Sequence, residues 1–86
     1  MTKVTIFTGS FCPYCMMAKR LLKQVGVEDI EEINRDTHPD QFEQAIAGTG
    51  QRTIPQIFIG DTHVGGFTDL YALHQRGELL PLLQNN

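Results

Sequence analysis

Residues 3–8 alternate between apolar and polar, with the strand-favouring side chains Val4, Ile6 and Phe7, and Gly9-Ser10 breaks the run. The period then changes. Tyr14, Ala18, Leu21, Leu22 and Val25 fall on one face of an amphipathic helix that stops at Gly26. Residues 29–34 predict a short strand carried by Ile30 and Ile33. His38-Pro39-Asp40 opens a second helix with the apolar face Phe42, Ala45 and Ile46, a cap from Asp36 or Thr37, and a Gly48-Thr49-Gly50 stop. Ile57-Phe58-Ile59 is a compact apolar strand, and Gly60-Asp61 turns it into a brief strand at 62–64, which reads as a hairpin. From Thr68 onward Leu70, Leu73 and the leucines of 79–83 predict a helix, a break at Gly77 and a short last helix.

The order β-α-β-α-β-β-α implies an α/β protein with three layers around a mixed four-stranded sheet. The first two strands, joined through a helix, should run parallel by a right-handed crossover. With 86 residues the chain is read as one domain, 1–86, and its 41% hydrophobic content is enough for a single core. No apolar run approaches the ~20 residues of a membrane span, and no leader, repeat or low-complexity tract is visible. A soluble monomer in the reducing cytoplasm is the expectation.

Both cysteines stand in Cys12-Pro13-Tyr14-Cys15, where the first strand gives way to the first helix. Thiols three positions apart on a first turn share a face and can close into a disulfide with little backbone movement. So short a loop stabilises a fold little, which suits a bond that is made and broken. Pro13 fits the first helical position, where its missing N–H costs nothing, and this makes Cys12 the N-cap. A thiolate there can accept N–H bonds from Tyr14 or Cys15 at the positive end of the helix dipole, which favours the ionised form. Cys15 lies one turn inside and is more sheltered. Cys12 is therefore assigned as nucleophile and Cys15 as resolving thiol. A structural zinc site would need further ligands at close spacing, and His38, His63 and His74 are scattered.

Charge adds one asymmetry. The net charge is -3, yet residues 1–27 contain Lys3, Lys19, Arg20 and Lys23 and no acid, whereas the rest is strongly acidic. The basic part bears the thiols, which suits an anionic thiol substrate, although these cations could equally be the solvated face of the first helix. An acidic chain without a basic stripe argues against nucleic-acid binding.

Taken together, a strand, Cys12-Pro13-Tyr14-Cys15, a helix, then Thr53-Ile54-Pro55 before a strand and Gly65-Gly66-Phe67-Thr68-Asp69 before a helix resemble the dithiol glutaredoxins. The likeness spans about residues 3–83. It implies the thioredoxin fold, a mixed four-stranded sheet flanked by helices on both faces. It implies a glutathione-dependent thiol-disulfide oxidoreductase acting on disulfide-containing and glutathionylated proteins, with glutathione as co-substrate and no metal. Glutathione reductase would recharge the glutathione pool.

The resemblance also assigns roles. Pro55 should be cis, and the extended Ile54 before it should pair its N–H and C=O with the cysteine of glutathione, flanked by Thr53. Gly66 should allow close approach, Thr68 should help hold the γ-glutamyl carboxylate at a helix start, and Asp69 should pair its ammonium. From the residues alone, Thr68 or Asp69 could simply be a helix cap. Tyr14 is a further expected contact. One departure stands out. Gly9 occupies the position where these proteins usually carry Lys or Arg for the glycyl carboxylate, and residues 40–47 contain no base. Gln41, Gln44, Gln51 or Arg52 could substitute, and Arg52 is the expected one. Two other readings fit parts of the pattern: a redoxin reduced by thioredoxin reductase without glutathione, and an iron-sulfur carrier, against which Pro13 argues because cluster-binding relatives usually have Gly there.

Overall fold

The computed structural model describes residues 2–84. Strand β1 (Val4–Thr8) leads to helix α1 (Pro13–Gln24), β2 (Ile30–Asn34), α2 (Pro39–Ile46), β3 (Gln56–Ile59), β4 (Thr62–Gly65), α3 (Phe67–Gln75) and α4 (Leu79–Gln84). The expected element order is present. The sheet order is β2-β1-β3-β4, with β1 and β2 parallel and the other two pairs antiparallel. The α1 crossover makes the parallel pair, and the Gly60-Asp61 turn makes the β3-β4 hairpin.

Alternation along β1 explains why helices cover both faces. Val4 and Ile6 point one way, into a core with Ala18, Leu22, Ile57, Ile59, Leu70, Leu79 and Leu83 from α1, β3, α3 and α4. Phe7 points the other way, into a second cluster with Ile33, Phe42 and Ile46, so α2, with Ile54 packed beside it, covers that face. Its ring meets Phe42 edge-on at 5.9 Å and Phe58 at 5.6 Å between centroids. A central strand buried on both sides thus anchors the loop that carries the thiols.

The boundaries follow local chemistry. Helix α1 ends where Gly26 takes φ 103°, a conformation open to glycine. Gly26 N–H donates to the Lys23 carbonyl and Val27 N–H to that of Leu22, which satisfies the last carbonyls. Two expectations are corrected. The N-cap of α2 is His38, not Asp36 or Thr37. Those two residues instead give their backbone N–H groups to Asn34 Oδ1, at 2.8 and 3.2 Å, forming a tight turn off the end of β2. Helix α3 starts at Phe67 with Gly66 as N-cap, so Thr68 and Asp69 lie inside the first turn and neither is the cap residue.

Candidate active site

Cys12 is the N-cap of α1, in extended conformation, with Pro13 at the first helical position. The Cys15 amide donates to Cys12 Sγ at 3.1 Å. Of the two donors the sequence allows, Cys15 is the one used. Cys12 and Cys15 are joined as a disulfide with their Cα atoms 5.2 Å apart, within the ordinary range. The environments differ: Cys15 is 2% exposed, while Cys12 is half-buried.

A groove of about 550 Å³ opens beside the disulfide turn. Tyr14, Thr53, Ile54, Pro55, Gly66, Thr68 and Asp69 all line it, residues brought from three separate stretches of chain. The Ile54-Pro55 bond is cis. The lining also includes Gln51, one of the other candidates for the missing base, together with His63 and Phe67, to which the sequence reading gave no part in binding. Phe67 extends the aromatic wall, its ring 6.2 Å from that of Tyr14. The signal for it was its place inside the Gly-Gly-Phe-Thr-Asp segment.

The far end of the groove is the start of α3. Gly66 has no side chain to cap the helix, and among the described residues no side chain accepts from the amides of Phe67, Thr68 and Asp69. Asp69 reaches back instead, its Oδ2 accepting the Gly66 N–H at 3.0 Å. Free amides beside a carboxylate form a site of two opposite polarities. The amides and dipole suit an anion, and Asp69 suits a cation. An amino-acid end, with carboxylate and ammonium on one carbon, matches both.

Gly65 makes this possible. It holds φ 115°, and a Cβ there would run into the Asp69 carboxyl group. Its absence of side chain therefore makes room for Asp69. A Cβ on Gly66 would meet only the Pro55 carbonyl oxygen, at an ordinary 3.6 Å.

Arg52 departs from the expectation. It does not line the groove; its guanidinium is engaged, through both terminal nitrogens, by the Glu43 carboxylate on α2. That hydrogen bond holds the Glu43 carboxyl below its usual range and raises the affinity of Arg52 for its proton. Outside the groove, Glu32 of β2 accepts from Thr8 Oγ1 at 2.7 Å and from Lys19 Nζ at 3.0 Å. Partial burial pushes the Glu32 carboxyl up, but the Thr8 hydroxyl with Lys19 and Lys23 outweighs it, and the net displacement is downward. Lys19, on the basic face of α1, is thus committed to the sheet.

A family model described as Glutaredoxin matches residues 4–64. A glutaredoxin of Neisseria meningitidis serogroup B is 59% identical over 83 residues, covering 96% of this chain and 98% of that one. Glutaredoxin 3 of Escherichia coli K12 is 46% identical over 84 residues, covering 98% of this chain and 100% of its own. Among solved structures, a buckwheat glutaredoxin-glutathione complex superposes with a TM-score of 0.83 at 33% identity, over 95% of this chain and 76% of that one.

Proposed function

This chain belongs to the glutaredoxin family and is a thiol-disulfide oxidoreductase, and we propose that glutathione is its co-substrate. The observation that carries the proposal is the start of α3. Unused amides and Asp69 stand there together, at the end of a groove that begins beside Tyr14 and the disulfide turn. They match the carboxylate and ammonium of a γ-glutamyl end. Ile54, between the two, offers its backbone N–H and C=O to the cysteine residue of the ligand. The glutathione complex of the buckwheat relative supports the same reading.

With Cys12 and Cys15 reduced, the Cys12 thiolate attacks one sulfur of a substrate disulfide. The other sulfur leaves as a thiolate and takes up a proton, and a mixed disulfide remains. The Cys15 amide holds the nucleophile before attack. When the substrate is a protein disulfide, Cys15, as thiolate, displaces the protein thiol and Cys12-Cys15 closes. Two glutathione molecules then reopen it and leave as glutathione disulfide. When the substrate is a glutathionylated protein, Cys12 takes the glutathionyl group and a second glutathione removes it. No step needs a metal. In this reading the protein acts as a monomer in the reducing cytoplasm, and glutathione reductase restores the pool.

Turnover coupled to glutathione reductase tests the proposal against coupling to thioredoxin reductase. Saturable dependence on glutathione is the expected result. Turnover with thioredoxin reductase alone would replace it with the glutathione-independent reading.

A further inference from the structure

We infer that Arg35 is a specificity-determining residue of this site, a cation that recognises the carboxylate at the glycyl end of glutathione and takes the place a base at position 9 would fill. The inference rests on the glutathione reading above and deepens it.

Three observations place Arg35. It follows β2 directly, and its N–H donates to the Thr8 carbonyl at 2.8 Å, continuing the β1-β2 pairing by one rung. The next residue, Asp36, accepts the Ser10 N–H at 2.8 Å and Arg35 Nε at 3.4 Å. The turn after β2 is thereby fastened to the loop before Cys12. Finally, a Cβ on Gly9 would stand 3.0 Å from Arg35 Nη2 and 2.6 Å from Ile54 Cδ1. The guanidinium therefore lies across Gly9 and next to Ile54, and the glycine is what lets it do so.

The direction of the ligand identifies its target. The amino-acid end of glutathione belongs at Thr68 and Asp69, and its cysteine pairs with Ile54, so the remaining glycine must continue past Ile54 away from α3. One residue of extended chain spans about 3.5 Å, so the terminal carboxylate lies within a residue's length of the Ile54 pairing. Two cations come from the right part of the chain. Arg52 is turned to Glu43. The Arg35 side chain is 48% exposed, and its terminal nitrogens have no hydrogen-bond partner among the described residues, leaving a planar fork of donors free for a carboxylate. Asp36 leaves both terminal nitrogens open, because its carboxylate is shared with Ser10 and touches Arg35 only through Nε at 3.4 Å.

The experiment compares apparent KM values for glutathione and for glutathione whose glycyl carboxylate is replaced by a carboxamide, in the wild type, Arg35→Gln and Arg35→Lys. Arg35→Gln should raise the KM for glutathione about three- to five-fold, as expected for a half-exposed ion pair, with kcat nearly unchanged. It should leave the KM for the amide where it was. Arg35→Lys should recover part of the loss, and added salt should shrink the difference between the wild type and Arg35→Gln. A purely structural role would raise both KM values alike, and that result would overturn the inference. So would an unchanged KM in Arg35→Gln, or a larger rise for glutathione in Arg52→Gln. If Arg35→Gln proves poorly folded, the wild type still decides: it must prefer glutathione to the amide at low salt and lose that preference at high salt. A wild type that prefers glutathione reductase coupling yet shows no such preference rejects Arg35 and leaves the co-substrate reading standing. A wild type with no glutathione-dependent turnover rejects both.

Discussion

The amide of Cys15 points at the sulfur of Cys12 from 3.1 Å, so the residue proposed to resolve also supplies a donor to the proposed nucleophile. The contact is made by backbone, and replacing the Cys15 side chain leaves it in place. Cys15→Ser should therefore keep glutathionyl exchange through Cys12 while losing the reduction of protein disulfides that needs the second thiol. Cys12→Ser should lose both. Assays with a glutathionylated peptide and with a disulfide-bonded protein separate the two outcomes, and substantial deglutathionylation by Cys12→Ser would reverse the assignment of roles.

The thiol half of this site was legible in the sequence because it is local. Pro13 and the break at Gly9-Ser10 locate the helix start, and a helix start locates Cys12. The α3 half was legible only in part. Thr68 and Asp69 look like caps from sequence, because a helix that uses glycine as N-cap leaves no side-chain signature there; the structure moves the cap to Gly66 and gives Asp69 the reciprocal contact. Arg52 and Arg35 show the opposite difficulty. Both are exposed arginines in loops, and what each side chain lies against depends on partners distant in sequence, Glu43 for the first and Gly9 for the second.

Asp69 combines a cap contact with a charge, and two substitutions can divide them. Asp69→Asn keeps an acceptor for the Gly66 N–H and loses only the charge. It should retain most of the thermal stability while raising the KM for glutathione about ten-fold, the size of a charge-assisted contact worth 1.5 kcal/mol or so. Asp69→Ala should show a similar KM and in addition lose roughly 1 kcal/mol of stability with the Gly66 hydrogen bond. Thermal melts beside glutathione titrations check both, and an unchanged KM in Asp69→Asn would leave Asp69 only its capping role.

Glu32 ties β2 to β1 and α1 through Thr8 and Lys19, and its carboxyl is displaced downward from its ordinary value of 4.5. A carboxyl lowered on folding stabilises the folded state fully above its unfolded value and stops doing so as pH falls through its folded value. The pair is partly exposed, with 33% of each side chain accessible, so the contribution should stay at or below about 1 kcal/mol. Glu32→Gln should accordingly lower Tm at pH 7 by no more than about 4–8 °C, and the gap should close as the pH is taken well below 4.5. A gap that persists at low pH would mean that packing, and not ionisation, is responsible.

Gly65 and Gly66 are neighbours with different reasons for being glycine, and alanine at each should separate them. Gly66 has φ -91° and ψ -167°, extended backbone that any residue adopts, and a Cβ there makes only ordinary contact with Pro55. Gly66→Ala should cost little stability. At Gly65 the φ of 115° lies outside the regions open to residues with a Cβ, and holding alanine there costs about 1–3 kcal/mol. The added methyl would also stand 3.0 Å from Asp69 Cγ and closer still to its oxygen, so the carboxyl must leave the Gly66 N–H. Gly65→Ala should therefore lower Tm and raise the KM for glutathione together, as Asp69→Ala does. Since both substitutions disable the same contact, their effects on KM should overlap, and Gly65→Ala/Asp69→Ala should fall short of the sum of the singles. Strictly additive KM effects would show that Gly65 acts on the ligand independently of Asp69, through its own close approach to the groove.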